Sequence, residues 1–208
     1  MNNIKVNSDY NFLNEENINS LKDNTVYIIN ENILKNKLVI NIPENYHLKF
    51  YLIVYQDDYL DITFNQNNNS SIEFMFSITN NKKSTYIITN NVIGSNNKTL
   101  IQGRIYNDVK ADTNAVINGN IKENTVNNDY TEDIRGLNLY SNNLVIKPNL
   151  LVSTSEVVAN HMVTIGNFDE RKVLYLKEKG ISEESIKKLL LNAFLYEIFP
   201  KEIFNQDN

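Results

Sequence analysis

Two histidines and no cysteine set the chemical limits of this 208-residue chain. His161, in VVANHMVTIG (157–166), and His47, in NYHLKF (45–50), are its only imidazoles. Imidazole titrates near neutrality and ligates metals, so each is a candidate for proton transfer or metal binding. A single histidine does not make a metal site, and His161 would need further ligands from neighbouring strands or from a second chain. Without them it reads as a surface or half-buried residue at a strand end. His47 stands among aromatic strand residues and reads as structural. Asp57, Asp58 and Asp61, in YQDDYLDI, invite comparison with the carboxylate sets of polysaccharide-cleaving enzymes. Adjacent residues point to opposite faces of a strand, so a turn is the expected home of Asp57 and Asp58. Glu123, Asp129, Glu132 and Asp133 fall in KENTVNNDYTED (122–133), which reads as a solvated acidic connection.

Without cysteine there is no thiolate nucleophile, no disulfide and no Cys-ligated metal within the chain. No G-x-S-x-G, H-E-x-x-H, Walker A or dinucleotide fingerprint occurs, so an enzyme is not expected. A net charge of −5 and no basic cluster argue against nucleic-acid binding. With no apolar run long enough to span a bilayer and no secretory leader pattern, a soluble cytoplasmic protein is expected.

The elements that must position these residues are mostly strands. After a helix-like opening at 8–23, β-like segments recur at 25–30, 37–43, 47–55, 60–66, 71–79, 84–94, 98–106, 115–121, 137–141 and 148–158. They are rich in Ile, Val, Tyr, Phe and Thr, and several alternate apolar with polar residues. Short Asn/Asp/Ser/Lys turns separate them. Such spacing suits a sandwich, a barrel or an irregular solenoid, and no strict internal repeat selects among these. Asn118-Gly119 falls inside a strand-like segment, where a bend or bulge is expected. Asparagine makes up about a fifth of the chain, read mainly as compositional drift, with Asn at turns, where it tolerates a left-handed backbone, as the alternative.

The last forty or so residues differ in kind. Asp169 is a good N-cap for ERKVLYLKEK, and Gly180 supplies a left-handed C-terminal residue. Ser182 caps a second helix that opens with Glu183 and Glu184. Ile186, Leu189, Leu190, Ala193 and Phe194 form one buried face. Leu191, Leu195, Tyr196 and Phe199 widen the apolar surface further, which calls for cover by the chain itself or by a partner. Two parts are expected: a β core at 1–165, with 1–23 left open beyond its helix-like start, and a helical region at 166–208.

From about Ala115 to Phe199 the chain resembles the C-terminal core of the SufB/SufD family, the scaffold proteins of the SUF iron–sulfur assembly system. Four pieces carry the resemblance, in order: AVINGNIKE, RGLNLYSNNLVIKPNLLVSTSEVVANH, VTIGNFDERKVLYLKEKGIS and KKLLLNAFLYEIF. The resemblance implies a right-handed parallel β-helix followed by two helices. It implies a non-catalytic subunit that pairs through the end of its β-helix and docks a SufC-type ABC ATPase on its helical region. Tyr175, Leu176, Leu191, Leu195, Tyr196 and Glu197 are then the expected docking residues, a helix-in-groove contact. His161 falls on the family's interfacial histidine, implying a metal site shared with a partner chain. No cofactor is expected to be held stably by this chain alone; iron or a nascent cluster would be transient at the interface.

The chain also departs from the family pattern. Ala159 stands where many members have a cysteine two residues before the histidine, and the cluster-building cysteine of SufB is missing. A SufD-like partner of a SufB-like chain is therefore expected, in a form shorter than is usual and without the large N-terminal helical region. Self-pairing, in a homodimeric structural protein that has lost the metal role, is the nearest alternative. A β-helical carbohydrate-active or carbohydrate-binding protein is the other.

Overall fold

The computed structural model describes residues 10–29, 34, 37–55, 57–140 and 143–203. Among them are twelve strands: β1 (Asn11–Leu13), β2 (Thr25–Ile29), β3 (Leu38–Ile42), β4 (His47–Tyr55), β5 (Tyr59–Gln66), β6 (Ser71–Asn80), β7 (Lys83–Val92), β8 (Lys98–Asn107), β9 (Asp112–Ile121), β10 (Asn128–Asn138), β11 (Leu144–Val152) and β12 (Val157–Gly166). Helices α1 (Glu170–Glu178) and α2 (Glu183–Tyr196) follow, then a short 3₁₀ turn at Lys201–Ile203.

From β2 onward the strands alternate between two sheets. One runs β1-β2-β4-β6-β8-β10-β12 and the other β11-β9-β7-β5-β3. All the pairings are parallel. Parallel neighbours need a crossover, and here the strand of the opposite sheet supplies it. The chain thus winds a parallel β-solenoid of about four turns, as the resemblance implies. Ser71 lies 24 residues after its neighbour His47, while Asn149 lies 31 after Asn118. The rungs vary because extra residues enter at the corners, which is why no strict repeat is visible in the sequence.

Period-two alternation turns every second side chain into the lumen, as in β7, where alternate residues are buried from end to end. An aromatic series, Tyr27–Phe50–Phe64–Phe74–Phe76, fills its early rungs with ring centroids 5.0 to 5.8 Å apart. Aromatic pairs at such separations add to the stability given by area burial alone.

Asparagine has a structural role, contrary to the reading as drift. Asn24, Asn45, Asn69, Asn96, Asn124 and Asn127 all have positive φ at turns, a conformation asparagine tolerates better than other non-glycine residues. Asn96 Nδ2 donates to Asn69 Oδ1 at 3.0 Å and Asn127 Nδ2 to Asn96 Oδ1 at 3.2 Å, stacking one corner on the next. On the outer face of the smaller sheet Asn41, Asn65, Asn91 and Asn120 form a continuous ladder, with bonds of 2.8, 2.8 and 2.9 Å. Between Phe168 and Ile203, beyond the solenoid, the sequence holds only Asn192. Drift would not respect that boundary.

Several expectations are corrected. Residues 10–23 form β1 and turns rather than a helix, since β1 is stacked on β2 in parallel; residues 8 and 9 lie outside the described residues. The segment 148–158 is the end of β11, a turn and the start of β12. The connection 122–133 is a turn followed by β10, and β10 extends through Leu137 and Asn138; of the expected 137–141, residues 139 and 140 form a turn and residue 141 lies outside the described residues. Asn118-Gly119 sits in an unbroken β9, paired without a bulge to β7 and β11.

Both helix starts are as read. Asp169 accepts from the Arg171 amide at 3.0 Å and Ser182 from the Ser185 amide at 3.3 Å. Gly180, at φ 79°, closes α1 in a Schellman arrangement: its amide donates to the Lys177 carbonyl and that of Ile181 to Leu176. No helix among the described residues is long and apolar enough to cross a membrane.

Candidate functional site

Among the described residues β11 and β12 end their sheets, each paired on one side only. Their free edges and the lumen they surround make the C-terminal end of the solenoid open. His161 lies within β12, not at a strand end, with Glu132 of β10 as its in-register neighbour. Its flanking alternate residues, Ala159 and Val163, pack on the lumenal core, so His161 belongs to the lumenal row. It remains exposed because no further rung among the described residues covers it. Val158 and Met162, on the opposite face of β12, are also exposed.

Glu132 is a site residue that the sequence reading missed. It is 1% exposed, in the lumenal row between Tyr130 and Ile134, both fully buried. Its Oε2 accepts the Tyr130 hydroxyl at 3.1 Å, while Oε1 has no partner among the described residues. Burial raises the carboxyl to about 7, against a pull downward from the Tyr130 hydrogen bond. Gly119 makes room for that tyrosine: a Cβ there would stand 2.6 Å from the ring and its hydroxyl. The available signal was alternation, with Tyr130, Glu132, Ile134 and Gly136 on one side. The acidic residues in between gave the stretch the polarity of a loop.

Asp133, the next residue, faces outward beneath α2. Arg104, itself 2% exposed, donates from Nε to Glu197 at 2.7 Å and contacts Asp133 at 3.4 Å. Arg135 reaches the same two carboxylates at 3.2 and 3.6 Å. This network fastens the end of α2 to the larger sheet. Leu195, with Leu191, Phe194 and Tyr196 beside it, packs on Tyr106 and Leu137; farther along, Phe199 and Ile203 pack on Tyr51. The Tyr196 hydroxyl also bonds that of Tyr55.

The expected docking residues therefore divide. Leu191, Leu195, Tyr196 and Glu197 are engaged by the chain's own sheet, so the widened apolar surface of α2 is covered from within. Tyr175 is 58% exposed and Leu176 half-buried on α1. Leu174 is exposed with them, and so are Leu189 and Ala193, which the sequence reading places on a buried face of α2 with Ile186, Leu190 and Phe194; the sheet covers α2 from the Leu191 and Leu195 side instead. A cleft of about 270 Å³ lies between β10, the end of β12 and the helices, lined by Arg135, Thr164, Lys172, Leu190 and Phe194 among others.

The other candidates do not converge. His47 opens β4, its Nδ1 2.9 Å from the Ser71 hydroxyl. Asp57 and Asp58 occupy the connection before β5, as expected, and Asp61 accepts the Tyr59 hydroxyl at 3.3 Å. Glu123 is in an exposed turn and Asp129 is exposed at the start of β10. Among the described residues no three His, Asp or Glu side chains form a metal-binding group.

Comparison with known proteins places the resemblance on this part of the chain. A family model described as the SufBD core domain of SUF-system FeS cluster assembly matches residues 109–194. An iron–sulfur cluster assembly SufBD family protein of Mycobacterium leprae is 42% identical over 55 residues, 26% of this chain and 14% of that protein. A Mycobacterium tuberculosis protein of the same description is 38% identical over 55 residues. The iron–sulfur cluster assembly protein SufD of Escherichia coli is 29% identical over 52 residues, 25% of this chain and 12% of that protein. The matches thus span about a seventh or less of these relatives' length.

Proposed function

We propose, from the premise that this chain belongs to the SufB/SufD family through its core at 109–194, that it is a scaffold subunit of iron–sulfur cluster assembly. It is SufD-like, lacking the cysteine that would build a cluster, and does no catalysis itself. It pairs through the open end of its solenoid with a cysteine-bearing β-helical subunit. It docks an ABC-type ATPase on the exposed side of α1, through Leu174 and Tyr175. Iron or a nascent cluster passes His161 as cargo at the interface.

One observation carries this reading. The matched segment contains the last rung, α1 and all but the final two residues of α2, the parts that offer an unpaired strand edge and an exposed apolar helix face. Parallel edge strands with exposed Val158 and Met162 are suited to strand addition from a partner.

Co-purification of the tagged chain from its own cells tests the proposal. Recovery of an ABC-type ATPase together with a cysteine-bearing β-helical chain supports it. Recovery of the chain alone, or only as a self-paired dimer, overturns the heteromeric scaffold and favours a homodimeric structural role.

A further inference from the structure

We propose that the outer face of the smaller sheet is a self-pairing surface, on which a second copy of this chain packs face to face about a two-fold axis. The axis runs along the strands, between β7 and β9. This goes beyond the scaffold reading and uses neither the open end nor α1. The face is available, because α2 and the 3₁₀ turn pack on the larger sheet. The outward residues of β7, β9 and β11 are left half-buried or exposed.

The pattern of charge carries the inference. Each of the four longest strands of this sheet holds a single charged residue: Asp61 on β5, Lys83 on β7, Asp112 on β9 and Lys147 on β11. All four fall on the outward side of the alternation. Asp61 and Lys147 end one cross-strand row, Asp61–Ile87–Val116–Lys147, and Lys83 and Asp112 share the row at the strand starts. Across the face the signs therefore run negative, positive, negative, positive. Half a turn about the axis lays β5 over β11 of the second copy and β7 over β9. Asp61 then meets Lys147 and Lys83 meets Asp112, each twice. An isologous contact requires this kind of self-complementarity. Within one chain Asp61 and Lys147 are three strand spacings apart, about 14 Å, and cannot pair.

Between the charges the face is neutral. Ile87 and Val116 flank the axis and meet across it. Asn65, Asn91, Asn118, Asn120 and Asn149 each donate to a side chain of the neighbouring strand, so covering these amides leaves few bonds unmade. An uncharged centre within a charged rim is the usual make-up of a protein interface. Four strands with up to five outward residues each span on the order of 600 Å² per copy, near the lower limit for a specific contact.

Sedimentation of the full chain tests the surface. A monomer–dimer equilibrium is expected, weakened at least tenfold in Lys147→Asp and in Asp61→Lys, because each sets like charges opposite one another twice. Mixing these two variants should restore a dimer with one copy of each, since their reversed charges again face opposites. Val116→Arg, beside the axis, should leave a monomer with unchanged circular dichroism. Met162→Lys, at the open end, should leave the equilibrium as it is. A chain still monomeric at about 1 mM, a dimer that survives Val116→Arg, no recovery in the mixture, or a dimer lost in Met162→Lys overturns the surface. So does cover of β7 and β9 by a different chain, seen by hydrogen exchange on the co-purified complex. A dimer that passes these tests while no ATPase or β-helical partner is recovered would defeat only the scaffold reading.

Discussion

At Glu132 the surroundings of a carboxyl group, rather than its type, decide its charge. Its folded value of about 7 lies above an ordinary value of 4.5. Between these limits the native chain holds a proton that the unfolded chain has released, so stability falls as pH rises and then levels off. At roughly 1.4 kcal/mol per pKa unit the fall is on the order of 3 kcal/mol. Glu132→Gln should flatten that part of the stability curve in the metal-free chain, as urea unfolding from pH 4 to 8 would reveal. An undiminished slope in the variant would assign the loss to other groups. Gly119 gives a second residue-scale prediction. An alanine methyl would collide with a fully buried tyrosine, and overpacking of this kind costs about 1–3 kcal/mol. Gly119→Ala should lower the thermal midpoint accordingly; an unchanged midpoint would mean that Tyr130 has room to move.

At the scale of elements, hydrogen bonds between side chains join one rung to the next. Asn91 donates to Asn65 and accepts from Asn120, so Asn91→Ala breaks two bonds of the outer ladder, whereas Asn41→Ala breaks one. At about 1 kcal/mol per bond, the first substitution should cost about twice the second in equilibrium unfolding; equal costs would show that the ladder is ornamental. The helices depend on different contacts. Replacing Arg104 by methionine removes the buried cation between Asp133 and Glu197. Hydrogen exchange should quicken in α2 while β4 to β8 stay protected, and simultaneous loss in both would mean that the helices and solenoid unfold as one. The strands from 25 to 121 were legible because alternation and turn residues repeat there. So were both helices, whose caps are local. β10 was hidden because Glu132 and Asp133 are acidic for tertiary reasons, the first serving the lumen and the second the underside of α2. The inward engagement of Leu195 and Glu197 was hidden for the same kind of reason, since periodicity marks an apolar face without saying what covers it.

At the scale of the molecule, each rung touches only its neighbours, so stability accumulates along one axis and the last rung has support from one side alone. Exchange should therefore be faster in β11 and β12 than in β6 to β9, and should slow when a partner covers the open end. Met162→Lys should abolish recovery of a β-helical partner while keeping the ATPase, and Tyr175→Asp should do the reverse. Loss of both partners in either variant would place them on one surface. The unbroken course of β9 has a slower consequence. An asparagine followed by glycine is the sequence most prone to deamidation, which requires the glycine amide nitrogen to attack the asparagine side chain through a ring-like backbone geometry. Extended and flanked by β7 and β11, Asn118-Gly119 cannot reach that geometry while the rungs hold. Isoaspartate at this position would then accumulate only during the moments in which the solenoid opens, and its level in aged protein would serve as a clock for them.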